Sequence, residues 1–277
     1  MKRIFTFLLG LVLCLSAMAQ AQITTKKEKL SDFGSKTMKV VLTGSPFLDE
    51  SLREAAKNTW YLSPYETCTA DEFERLKTSD SYYFLVTAEI RGKKEDEARA
   101  LTWIKLVKGG AQVKELSDMM EVVRLPLCAA GKPSGREDAL LPALLENMQA
   151  YVLQAQSSDL KGFASVVSSL RRSGKKEVWL VDEELSPQIG KDFLQRKASG
   201  SLHITDADEA DAVMRSGRDA VVGFCIAPAE PVKGGTCYKY LIDARTHEIY
   251  AYKQHKISST TGAGFLKSDL NAIIQSR

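Results

Sequence analysis

The chain has 277 residues, 44% of them apolar, enough to bury sizeable cores, and 38 Lys and Arg against 35 Asp and Glu leave a formal charge of +3. That near-neutral balance argues against nucleic acid as a partner, whose recognition needs a clustered basic footprint. Charged runs such as Lys93-Lys94-Glu95-Asp96-Glu97 are short and mixed in sign, the pattern of a solvated loop.

Residues 1–21 read as an export signal: Lys2 and Arg3 form a charged start, Ile4 to Ala17 an apolar run, and Ala17-Met18-Ala19 a small-x-small cleavage site. Cleavage before Gln20 or Gln22 leaves 36 basic against 35 acidic residues, a charge of +1. The apolar run is shorter than the roughly 20 residues that span a bilayer. Leu13 stands where a lipid-attachment motif before Cys14 needs Gly or Ala. No later stretch is apolar enough to span, so the expectation is a soluble periplasmic or secreted protein with no transmembrane segment after signal cleavage.

The mature chain shows the same order of signals twice, a first unit over residues 22–157 and a second over 158–277. Apolar strands at Met38–Leu42 and Val178–Val181 open the copies. Each is followed by Ser-Pro, at Ser45-Pro46 and Ser186-Pro187, where serine can cap a helix and proline fits its first turn. Thr69-Ala70-Asp71-Glu72 and Asp206-Ala207-Asp208-Glu209 then read as capping boxes. Strands at Tyr82–Ala88 and Ala220–Ala227 come next. Hairpins follow, Leu101–Val107 with Glu121–Leu127 and Tyr238–Ile242 with Glu248–Ile257. Helices from about Asp138 to Gln156 and Gly264 to Gln275 close the copies.

Asp71 to Asp208 and Ile104 to Leu241 are each 137 residues apart, whereas Leu140 to Phe265 is 125. One duplication plus an insertion at Gly109–Asp118 produces that spacing. Between the copies, Leu160, Phe163, Ala164, Val167 and Leu170 recur at helical spacing and predict a helix over Asp159–Arg172. Thr24–Thr37, with only Leu30 and Phe33 as anchors, is expected to be loosely held.

Each unit is therefore β-α-β-α-β-β-β-α, and the expected class is α+β: two tandem units, each a small mixed sheet with helices mainly on one face. This element order, with the export signal, resembles small αβ domains of bacterial envelope proteins such as the amino-terminal domain of the TolB translocation protein. The chain also resembles secreted and periplasmic proteins of Gram-negative bacteria. The resemblance implies an envelope address and carries no motif residue.

Few residues of the chain fall into a pattern that carries chemistry. His247 and His255 share one predicted strand, eight steps of about 3.3 Å apart, too far to hold one metal, and nothing completes a site around His203. Asp206, Asp208 and Asp211 fail the EF-hand spacing, with Ala210, Asp211 and Gly217 at its fifth, sixth and twelfth places. Gly262-Ala263-Gly264 resembles the start of a dinucleotide loop, but Lys267 holds the third glycine place, so a flexible entrance to the last helix is expected. No cofactor, metal or catalytic residue is assigned.

Asp243-Ala244-Arg245-Thr246-His247-Glu248 resembles the common hairpin turn Asp-Ala-x-Thr-Gly-Glu, including that of the PepSY domain, with His247 at the left-handed position. A four-residue loop there pairs residues summing to 491. Tyr238, Tyr240, Tyr250 and Tyr252 then divide two to each sheet face, whereas a loop one residue different would unite them as a stacking platform. Tyr238, Tyr240 and His247 are the candidate ligand-binding residues. Cys225 with Cys237 is the first choice of disulfide and Cys68 with Cys128 the second, with buried reduced thiols as the alternative for each.

The function expected on these grounds is a non-enzymatic binding protein of the envelope whose partner is an envelope protein or a small ligand. The alternatives are a hydrolase with a dispersed site, around His203 or His255, and a protease inhibitor or secretion accessory protein.

Overall fold

The computed structural model describes residues 30–90, 97–197 and 200–276. The proposed leader and Lys93–Asp96 lie outside them. The first unit runs β1 (Thr37–Val41), α1 (Pro46–Thr59), β2 (Tyr65–Cys68), α2 (Ala70–Leu76), β3 (Tyr82–Ile90), β4 (Leu101–Lys108), β5 (Met120–Ala129) and α3 (Glu137–Ser157). The second repeats it as β6 (Glu177–Val181), α4 (Lys191–Lys197), β7 (Leu202–Thr205), α5 (Ala207–Arg215), β8 (Ala220–Ile226), β9 (Thr236–Asp243), β10 (Ile249–Lys256) and α6 (Lys267–Gln275).

Each unit folds as a mixed five-stranded sheet, ordered β2-β1-β3-β4-β5 and, in the same sense, β7-β6-β8-β9-β10. The first strand of each unit is parallel to both its neighbours, and the last three form an antiparallel meander. The class is α+β in two similar units. Between the sheets lies one continuous core: Val40, Leu85 and Ile104 from the first, Val181, Phe224 and Tyr240 from the second, with α1, α3 and α5 packed among them. The shorter α2 covers the outer face of the first sheet, where Phe73 meets Phe84 edge-on at 5.1 Å, and α4 and α6 cover that of the second.

Local chemistry explains most helix starts. Thr69 accepts the Glu72 N–H while Glu72 reaches back to the Thr69 N–H, a complete capping box. Asp206 accepts the Glu209 N–H, but Glu209 turns to the Thr205 hydroxyl, so the second box is half made. Pro46 opens α1 as expected, yet Ser45 makes no cap; Asp49 instead accepts from the Thr43 and Gly44 N–H groups.

Several expectations need correction. Ser186-Pro187 does not begin a helix: Ser186 is tied to Thr261 and Phe265, and α4 starts at Lys191. Asp159–Arg172 forms two short 3₁₀ turns instead of an α-helix, because Gly162 takes φ 119° and the Ser168 N–H is drawn to Ile249 O beside β10. The described end of the amino-terminal stretch is held firmly. Leu30 and Phe33 are fully buried, and Asp32 accepts from Tyr83 and Lys108. Those bonds, with one from Lys36, overcome the effect of burial and hold the Asp32 carboxyl well below the usual range.

The Gly262–Gly264 segment is clamped. Gly264 has φ 101°, and a Cβ there would lie 2.5 Å from Glu184 O, so only glycine lets Phe265 bridge to Leu185.

Candidate functional site

The polar centre of the molecule lies where the units meet. At the first residue of α3, the buried Glu137 carboxylate accepts from the Ser134 and Gly135 N–H groups and the Ser134 hydroxyl, folding the loop so that the neighbouring Arg136 points into the second unit. There its Nε donates to Asp211 at 2.8 Å, its Nη1 to Glu184 at 2.5 Å, and both Nη groups approach Gly223 O. The guanidinium also lies 4.3 Å from the Phe224 ring centre. Glu184 spends its other oxygen on the Cys225 N–H, at 2.9 Å.

Two carboxylates thus share one buried cation. Burial raises Glu184 to about 7, a rise that Arg136 only partly offsets and Asp211 reinforces; burial raises Asp211 as well. The failed EF-hand spacing gives Asp211 no role in the sequence, and a single arginine in a turn-rich stretch carries no sequence signal.

Beside this cluster, Cys225 and Cys237 are unbonded thiols with sulfurs 3.2 Å apart. Cys237 accepts the Gly264 N–H at 3.3 Å. Two residues on, Lys239 is buried against Asp269, which also caps α6 by accepting the Leu266 N–H. His255, facing Cys237 across β9 and β10, donates from Nε2 to Gly262 O at 3.0 Å, while its Nδ1 is buried with no partner. Burial lowers its pKa, keeping the ring neutral. The second expected pairing is excluded: Cys68 and Cys128 stand on opposite edge strands of one sheet, four strand spacings or about 19 Å apart. Burial pushes those thiols up to about 11 and about 12.

The tyrosines do not divide evenly. Ile249 pairs with Ile242 in the expected register, but a bulge at Tyr250 shifts the rest by one, placing Tyr252 opposite Tyr240. Tyr238, Tyr240 and Tyr252 stack on one face, at 6.1 and 5.2 Å, while Tyr250 turns to Asp243. The stack is closed by the first unit: Tyr240 donates to Pro126 O at 3.0 Å, and Trp103 meets Tyr238 edge-on at 5.1 Å. It is an inter-unit seam.

His247 adopts φ 56° in the turn, the left-handed conformation its place in the motif predicts. Its carbonyl accepts from Asn147 and its Nδ1 lies 3.1 Å from Glu146, so α3 grips the strained turn. His203 stacks on Trp179 at 4.3 Å on the edge strand β7, at the opposite side of the sheet from His255 on β10. Among the described residues no group of His, Cys, Asp and Glu is arranged to hold a metal, and no helix is long and apolar enough to cross a membrane.

No protein-family model matches the chain, and no curated protein and no solved structure matches it significantly.

Proposed function

We propose that the chain is an exported, non-enzymatic binding protein of the cell envelope that takes an extended segment of an envelope protein along an open sheet edge. The observation that carries this reading is the pair of corresponding edge strands, β2 and β7, each with a strand neighbour on one side alone among the described strands. Met38 N–H donates to Pro64 O and Leu42 N–H to Cys68 O. By the two-residue period of a strand, the backbone groups of Tyr65 and Thr67 therefore face away from β1, and the side chains of Glu66 and Thr67 are exposed. Main-chain pairing at such an edge supplies affinity, with specificity from alternate side chains. The leader, with its charged start and small-x-small site, supports export, and export would place the Cys225–Cys237 pair in a compartment that permits its bridging.

The test is a crosslinked pull-down of the tagged chain from Gln22 onward out of its own cell envelope, beside Thr67→Pro, which removes an outward-facing donor. A stoichiometric partner of the native chain, reduced at least about fivefold by the proline, is expected. A native chain that captures no more than an unrelated exported protein would overturn the binding role. A partner held equally by both forms would reject the β2 edge.

A further inference from the structure

We propose that Cys225 and Cys237 are a reversible thiol–disulfide couple, in which the half-buried Cys225 exchanges with a glutathione-type disulfide and the fully buried Cys237 resolves the adduct. The inference is independent of the binding role.

The geometry gives the thiols different parts to play. Their sulfurs are 3.2 Å apart, so closing the bond requires only a small approach. Cys225 is partly exposed, whereas Cys237 is fully buried beneath the Gly264 backbone. A sulfur that accepts the Gly264 N–H and lies two residues from the Lys239 ammonium is suited to carry negative charge. The hydrogen bond with Cys225 acts in the same direction, lowering Cys237 and raising Cys225. First Cys225, the accessible thiol, passes its proton to the Cys237 sulfur 3.2 Å away and attacks one sulfur of the oxidant, forming a mixed disulfide and expelling one glutathione thiolate, which takes that proton back from Cys237. Then the Cys237 thiolate attacks Cys225 Sγ, closing the intramolecular bond and expelling the second. The two electrons leave on the two glutathione thiols, which take up the two protons lost by the cysteines.

Register makes the bridge reversible. Cys225 faces Lys239, so Cys237 is its diagonal neighbour. Diagonal positions on an antiparallel pair lie about 7–8 Å apart between Cα atoms, whereas a relaxed disulfide holds its Cα atoms at about 5.5–6 Å. Closure therefore draws the end of β8 toward β9 and with it the Cys225 N–H that Glu184 accepts. The couple is thereby joined to the Arg136 cluster between the units.

The purified chain is equilibrated over a series of reduced-to-oxidised glutathione ratios, alkylated, and digested with trypsin, which cuts at Lys233 between the two cysteines. Mass spectrometry is expected to show a Cys225–Cys237 linked peptide pair that accumulates at oxidising ratios and disappears when the ratio is reversed. Cys237→Ser should accumulate glutathione on Cys225, and Cys225→Ser should take up at least about tenfold less, since access governs exchange. Full alkylation of both native thiols at the oxidising end, or a linked pair that does not reopen, would overturn the proposal. That readout on the unsubstituted chain holds even if a variant misfolds.

Discussion

The two closing helices, α3 and α6, occupy the same place in the repeat and do different work. α3 runs 21 residues and buries twelve of them nearly all round, against α1, β5 and the second unit; α6 runs nine and buries only Asp269, Leu270 and Ile273. Repeated elements need not be equivalent. Once two units share one core, the helix that falls between them is buried on every side, while its counterpart needs a single apolar stripe.

The sharpest way to break that asymmetry is at Arg136. Arg136→Met leaves the buried Asp211 and the half-buried Glu184 without their cation and should cost about 3–5 kcal/mol by urea unfolding. A loss below about 1 kcal/mol would mean that the cluster does not join the units. Leu144→Ala in α3 and Ile273→Ala in α6 each empty a fully buried site and should cost about 2–5 kcal/mol. Hydrogen exchange separates them: the first should loosen both sheets, the second only the outer face of the second sheet. Equal loosening by both would contradict the shared-core role of α3.

Titration contrasts the units further. Glu184 has its pKa raised from 4.5 to about 7, so the native state binds the proton more tightly than the unfolded chain. Its contribution to stability is full below about pH 4.5 and lost as pH rises through about 7. The unfolding midpoint should fall between pH 5 and pH 8, and Glu184→Gln should flatten that slope. Asp32 in the first unit has the opposite sign: its pKa is depressed, so its contribution is present above about pH 3.8 and lost on further acidification. The smallest effect is expected at the caps. Thr69→Ala and Asp206→Ala should each cost about 1 kcal/mol, Thr69 the more because its box is complete; the reverse order in thermal melts would reject that account.

Much of the fold was legible in the sequence because the signals are local. Pro46 at the start of α1, the Thr69 cap, the turn at Asp243 and the apolar runs act within a few residues, and the recurrence of the Thr69 signal at Asp206, 137 residues on, revealed the two units. The linker at Asp159–Arg172 misled because apolar spacing does not register the pull of Ile249 O on Ser168. The tyrosine register failed on one inserted residue, Tyr250, which leaves the ladder because its hydroxyl bonds to Asp243. At the candidate site, proximity along the hairpin pointed to Cys225 and Cys237, whereas Arg136 and Glu184 are 48 residues apart and meet only when the units fold together.

By itself the sequence determined the α+β class, the eight-element order of each unit, the left-handed turn at His247 and the cysteines able to come together, because each depends on capping, periodicity or short-range geometry. Tertiary structure alone decided that the tyrosines close a seam, that Gly264 is clamped on Glu184, and that one buried arginine answers two acids. Those outcomes turn on which surfaces exclude water from one another, and residues far apart in the chain set that.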